Sequence, residues 1–186
     1  MPAPRLDESI AFIPVRIAVM TVSDTRTKAD DVSGDTLAKR IEESGHVLAA
    51  RTIVRDDQQQ IAAQLRQWIE DREIDVVIST GGTGLTGRDV TVEAFRSVFE
   101  KEIDGFSVLF HQLSFGKIGT STVQSRACAG VTNGTFIFCL PGSPGAVKDG
   151  WDGILKLQLD VRHKPCNFVE IMPRLQEHLS ADAKKR

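Results

Sequence analysis

The stretch VVISTGGTGLTGRD, Val76–Asp89, decides the fold. It opens with a short continuous apolar run of the kind found in strands covered on both faces by helices. Three glycines follow, Gly81, Gly82 and Gly84, and then a lone acid, Asp89. Beyond it VTVEAFRSVFE resumes helical spacing through Val92, Phe95, Val98 and Phe99, so the glycine cluster joins a central strand to a helix.

The same order of strand, loop and helix recurs on either side. VRIAVMTV (Val15–Val22) reads as a strand, followed by the polar loop SDTRTKADDVSG. A helix is predicted over Gly34–Gly45, with Leu37 and Ile41 on one face, Ser33 as its cap and Gly45 as its stop. HVLAARTIV has β character, and DDQQQIAAQLRQWIEDR sets Ile61, Leu65, Trp68 and Ile69 at amphipathic helical spacing, which leaves Asp56 at the junction between them. DGFSVLFHQLSF reads as helical, SRACAGV as a short helix stopping at Gly130, and TFIFCL (Thr135–Leu140) as the last clear strand. The helix after it carries Val147, Trp151, Ile154, Leu155 and Leu159, while Pro165 and Pro173 punctuate the tail and DAKKR reads as a frayed end. Trp68 and Trp151 fall on apolar helix faces and are assigned to packing. The repeated order predicts an open α/β sheet with right-handed crossovers.

With 186 residues, 41% of them hydrophobic, the chain suits one domain over 1–186. Lys plus Arg total 23 against 25 Asp plus Glu, a balance that offers no global attraction to nucleic acid or an anionic bilayer. The apolar runs are far shorter than the roughly 20 residues of a membrane span, and MPAPRLDESIAFIP lacks the continuous apolar core of a secretory signal. The expected compartment is the cytoplasm. Cys128, Cys139 and Cys166 lack metal-ligand spacing and suit reduced thiols; the four histidines form no zinc pattern.

The junctions carry the chemistry. Gly81, Gly82 and Gly84 let the backbone turn tightly and present its N–H groups, and Thr80, Thr83 and Thr86 add hydroxyls, a set that fits a phosphate. A tight crossover without a ligand is the alternative. GGTGLTGRD matches neither the dinucleotide fingerprint nor a Walker loop. Asp89 and Asp56, on adjacent crossovers, can approach one sheet edge; two carboxylates beside phosphates call for a divalent cation between them. Equally, each acid can cap the helix that follows it. LPGSPGAV (Leu140–Val147) repeats the junction with Pro141, Gly142, Ser143 and Pro144, and TVSDTR adds Ser23, Asp24 and Arg26. GTSTVQSR contributes Ser121, Ser125 and Arg126, the last either a fork for phosphate or the partner of a surface acid.

Taken in order, TVSD, DVSG, VRDD, STGGTGLTGRDVTVEA, IGTSTVQSRACAGV and LPGSPGAV resemble the molybdopterin-binding family. The resemblance covers most of residues 12–168. It implies a three-layer sandwich whose mainly parallel sheet is flanked by helices, and a site for the pterin dithiolene molybdopterin. Catalytic members of the family adenylylate molybdopterin with ATP and Mg2+, so the resemblance implies both substrates and that metal. It matches Asp89 and Asp56 to the catalytic and metal-binding acids, with Asp57 as an alternative register for the latter. It places Thr80, Gly81, Gly82, Thr83, Gly84, Ser121, Ser125, Pro141, Gly142 and Ser143 in the phosphate and pterin site. Ser23, Asp24, Asp31, Ser33 and Gly34 match the family's first loop and helix start. It also implies a homo-oligomer, a trimer or hexamer, and partnership with other molybdenum cofactor biosynthesis proteins. The phenylalanines of FSVLFHQLSF serve either the subunit contact or the core. A noncatalytic molybdopterin-binding or carrier protein is the rival reading, and a structural assembly protein a third.

Overall fold

The computed structural model describes residues 5–179. In chain order the elements are β1 (Arg5–Leu6), β2 (Arg16–Val22), α1 (Val32–Glu43), β3 (Val47–Val54), α2 (Gln58–Glu70), β4 (Val76–Thr80) and α3 (Thr91–Arg96). They continue through β5 (Lys101–Glu102), α4 (Asp104–Ile118), a 3-10 segment (Gly119–Gln124), β6 (Cys128–Thr132) and β7 (Thr135–Leu140). The last part is α5 (Pro144–Gly150), a π-helical segment (Trp151–Leu155), α6 (Lys156–Gln158), β8 (His163–Lys164) and α7 (Phe168–Ile171).

Six strands form the central sheet in the order β3-β2-β4-β7-β6-β5, parallel among the first four and antiparallel from β7 to β5. A separate antiparallel pair joins β1 to β8. Period-two alternation sends successive side chains to opposite faces. On one face Ile17, Val19, Val76, Ile78, Phe136 and Phe138 pack with Leu37 and Ile41 of α1, Phe106 and Phe110 of α4, and Val147 and Trp151. On the other, Ala18, Met20, Val22, Val77 and Ile137 pack with Ile61, Leu65 and Trp68 of α2 and with Val92 and Phe95 of α3. The result is the three-layer sandwich, with both tryptophans buried.

These layers locate the site. The chain leaving β2 crosses through α1 on one face, whereas the chain leaving β4 crosses through α3 on the other. Adjacent strands whose connections diverge open a crevice at their carboxyl ends. The glycine turn leaves β4 at that point.

Two expectations are corrected. SRACAGV is not a helix: Cys128–Thr132 is strand β6, folded against β7 through Asn133 and Gly134, at φ 46° and 82°, the left-handed geometry of a tight hairpin turn. Ser33 does not cap α1. Asp31 does, accepting from the Gly34 N–H at 2.9 Å, and the helix starts two residues before Gly34. DAKKR lies outside the described residues, and within them no helix is long and apolar enough to cross a membrane.

Candidate functional site

At the end of β4 the Gly81 N–H reaches across to the Leu140 carbonyl at 3.1 Å, tying the turn to the end of β7. Gly81 and Gly82 then adopt φ of 103° and 61°, a region that disfavours any side chain. Space requires glycine as well. A Cβ on Gly82 would lie 2.3 Å from Thr91 Oγ1 and 2.4 Å from Asp56 Oδ1, and one on Gly84 would lie 2.7 Å from Asp89 Oδ2. Both acids therefore lean over the bare backbone of the turn. Neither the Gly82 nor the Thr83 N–H has an acceptor among the described residues.

Neither acid caps the helix that follows it. Asp57 caps α2, accepting from the Gln60 N–H at 2.8 Å, and Asp56 is left outside the helix. Helix α3 begins after Val90 with no side-chain cap. Asp89 instead accepts from the Thr86 hydroxyl at 2.5 Å and the Thr86 N–H at 3.0 Å.

The two carboxyls are tuned apart. Thr86, hydrogen-bonded to Asp89, holds that carboxyl below the ordinary range despite some desolvation. Partial burial pushes Asp56 up, and the like charges of Asp24 and Asp89 push it further, with only Arg88 among its neighbours opposing them by charge. A backbone hydrogen bond from Asp24 also opposes the shift, and among the described residues no side chain donates to the Asp56 carboxylate. Beside it, the Thr91 hydroxyl is buried and unpartnered. Unsatisfied acid and hydroxyl oxygens are the donor set of a hard cation. No group of three His, Cys, Asp or Glu among the described residues forms a cage of its own. That suits magnesium, which is held by one or two carboxylates and completes its shell from phosphate and water.

The other predicted residues frame this centre. Asp24, at the end of β2, accepts from the Asp56 N–H at 3.3 Å and pairs with Arg88. Ser23 Oγ accepts from the N–H groups of Thr25 and Arg26 at 3.2 and 3.1 Å, shaping that loop. Asp31 is buried and bonded to Thr21 Oγ1 at 2.7 Å and to Arg51 at 2.8 Å; a Cβ on Gly34 would collide with it. Asp31 thus anchors α1, and Ser33 on the first turn is what reaches the sheet edge, its hydroxyl donating to the Gly142 carbonyl at 2.6 Å. Thr80 Oγ1 donates to the Pro141 carbonyl at 3.0 Å. Ser143 caps α5, accepting from the Ala146 N–H at 3.1 Å. Past this loop a cleft of about 760 Å³ opens between α4 and α5, with Phe110, Leu113 and Pro141 on its apolar side and Ser125, Ser143 and Lys148 on its polar side. Ser121 lies exposed on the 3-10 segment, and among the described residues no hydrogen bond ties it to the glycine turn.

Arg126 takes the acid-paired form of its two readings, bonding Glu93, but its fork also donates to the carbonyls of Thr83 at 2.9 Å and Asp89 at 3.2 Å. Sequence reasoning passed over Thr91, Glu93 and Arg88 as site residues. Arg88 was visible only as the neighbour of Asp89, and Thr91 only as the start of a helix.

Residues 18–160 match the family model "Probable molybdopterin binding domain". The chain is 48% identical over 160 residues to molybdenum cofactor biosynthesis protein B of Escherichia coli K12, covering 86% of this chain and 94% of that one. It is 44% identical over 135 residues to the Bacillus subtilis protein of the same name, covering 72% and 79%. Among solved structures, a molybdenum cofactor biosynthesis protein B superposes with a TM-score of 0.76 at 34% identity, over 95% of this chain and all of that one. The tungsten cofactor synthesizing protein MoaB of Pyrococcus furiosus superposes at 0.69 and 36% identity, over 76% and 91%. Likeness in sequence and fold, over most of the length of each relative, makes this chain a member of the molybdopterin-binding domain family of molybdenum cofactor biosynthesis proteins.

Proposed function

We propose that the protein binds molybdopterin and adenylylates it with ATP in the presence of magnesium. The observation that carries this reading is the pair Asp56 and Asp89 leaning over a turn whose Gly82 and Thr83 amides are free. In the reaction, an oxygen of the molybdopterin terminal phosphate bonds to the α-phosphorus of ATP, the bond from that phosphorus to the α,β-bridging oxygen breaks, and pyrophosphate leaves with the electron pair. The nucleophile is already ionised, so no general base is assigned.

Asp56 and Asp89 would hold the magnesium ion, with Thr91 at hand as a neutral oxygen. Bound there, the ion supplies positive charge between two polyanions that otherwise repel. The free amides of the turn bind phosphate oxygens and stabilise the charge that builds on them. Thr86 keeps Asp89 ionised for its part. The Ser33 and Thr80 hydroxyls hold the Pro141–Gly142 loop against the turn, and the cleft behind Ser143, part apolar and part polar, has the character that a pterin ring needs.

The phenylalanines of α4 divide between roles: Phe106 and Phe110 are core, whereas Phe115 is 61% exposed beside Val108 at 65% and Ile118 at 52%. That apolar face supports the expectation of a homo-oligomer, trimer or hexamer.

Incubating the purified protein with molybdopterin, ATP and magnesium tests the proposal. Adenylylated pterin and pyrophosphate are expected, both lost in Asp56→Asn and Asp89→Asn variants that remain folded. Saturable pterin binding without either product would establish the carrier reading instead.

A further inference from the structure

One ion pair at this edge lies largely in solvent. Asp24 ends the β2 junction and Arg88 sits in the glycine loop, so their contact spans the mouth between β2 and β4, above Asp56. The Arg88 side chain is 72% exposed and among the described residues makes no other hydrogen bond, whereas Asp24 also accepts from the Asp56 N–H. Two neighbouring arginines are committed. Arg126 is spent on Glu93 and two loop carbonyls, and Arg26 donates to the Asp30 carbonyl. Arg88, the arginine whose charge acts on Asp56, is thus held at the acid centre by a single exposed ion pair, and exposed ion pairs are weakly held.

We propose that Arg88 is an anion clamp for the polyphosphate of the nucleotide, parked on Asp24 while the site is empty and swung onto phosphate when it fills. The inference rests on the adenylylation reading for the identity of the anion. A planar guanidinium offers paired N–H donors that match phosphate oxygens, and one carried by the loop that ends at Asp89 reaches an anion lying over that loop. Asp24 gives the empty site a neutralising partner for Arg88, and the exchange of carboxylate for phosphate makes binding competitive with the parked state. Arg88 acts here as a specificity residue for a polyanion; the pterin cleft lies beyond the Pro141–Gly142 loop and does not involve it.

Pyrophosphate, with magnesium and without, is the probe, followed by titration calorimetry on the full chain. Arg88→Ala should weaken magnesium–pyrophosphate binding by about 10-fold to 100-fold, with Arg88→Lys in between. Without metal, Asp24→Asn should bind pyrophosphate several-fold more tightly than the parent. That gain should vanish in the Asp24→Asn, Arg88→Ala double variant, since it comes from freeing the guanidinium. Persistence of the gain in the double variant would mean that only a repelling charge had been removed, and would overturn the clamp. So would equal affinity in Arg88→Ala and parent, or no pyrophosphate binding by the parent. Thermal melting identifies a misfolded variant, and Arg88→Gln then takes the place of Arg88→Ala. The turnover assay separates the two proposals: Arg88-dependent pyrophosphate binding without adenylylated product sinks the reaction and keeps the clamp. Turnover whose ATP KM ignores Arg88 does the reverse.

Discussion

Arg126 Nε donates to the carbonyl oxygen of Thr83 at 2.9 Å, from a position just before β6, on the far side of β7 from the glycine turn's own strand. Its NH2 group bonds the Asp89 carbonyl, so one guanidinium closes the loop at both ends, with Glu93 as counter-ion. This is a scaffold for the acid and not a ligand contact.

Arg126→Lys should therefore fail despite keeping the charge, because an ammonium cannot serve two carbonyls and a carboxylate in one plane. Loss of the charged hydrogen bonds should cost about 1.5–3 kcal/mol in Arg126→Ala, seen as a fall in melting temperature of several degrees. In the adenylylation assay kcat should drop about 10-fold or more while pterin binding persists, since what moves is Asp89 and not the cleft. Unchanged kcat in a folded Arg126→Lys protein would remove the scaffold role.

The glycines of the turn differ sharply in what they permit. Gly82→Ala must hold a Cβ at φ 61° and displace Thr91 Oγ1 and Asp56 Oδ1, whereas a Cβ on Gly87 in the same loop meets nothing within 4 Å. Gly82→Ala should cost at least about 2 kcal/mol, and Gly87→Ala should stay within about 0.5 kcal/mol. Differential scanning calorimetry of the two variants reads the contrast directly.

Much of this was legible in the chain because the signals are local. The apolar run before Gly81, the spacing of Ile61, Leu65 and Trp68, and the glycine cluster each declare an element from within a few residues. Strand β6 did not, since Ala127–Gly130 is small and aperiodic, and its pairing is imposed by Phe136–Cys139 across the Asn133–Gly134 turn. The turn itself is a local signal, an Asn-Gly pair between two strands, and it was the clue available. Adjacent acids were equally ambiguous. Asp56 and Asp57 are both capping types, and the extended backbone at Asp57, φ −133° and ψ 118°, selects the second as the cap and frees the first. Similarly Asp31 and Ser33 compete for one cap, and only the fold shows Ser33 turned toward Gly142.

Asp56 carries a cost to folding. Desolvation, then Asp24 and Asp89, raise its carboxyl above the ordinary carboxylate range, so the folded state resists its ionisation. For an acid raised on folding, that penalty is absent below the unfolded value and grows as pH rises through the folded one. Asp56→Asn should thus melt about 1–3 °C higher than the parent at pH 7, with the difference closing as pH falls toward about 3.8. Magnesium should stabilise the parent and not the variant. A variant that melts lower at neutral pH would contradict the unneutralised cluster.

The opposite sign holds at the start of α1. Asp31 is fully buried, and desolvation alone would raise it, yet Arg51, Thr21 and the Gly34 N–H together hold it below the ordinary range. Its stabilisation is complete above the unfolded value and is lost as pH falls through the lower folded one. Arg51→Ala strips the largest of those supports and strands a buried carboxylate, at a cost of about 3–5 kcal/mol at neutral pH. Desolvation then dominates and the folded carboxyl is raised, so its penalty lifts on protonation and the stability gap between Arg51→Ala and the parent, followed by circular dichroism, should narrow as pH falls. Asp31→Asn in the Arg51→Ala background should recover part of the loss, because the stranded charge is gone while the amide oxygen can still accept from Gly34. If the double variant is no more stable than Arg51→Ala alone, the pair is not what holds the loop that delivers Ser33 to the sheet edge.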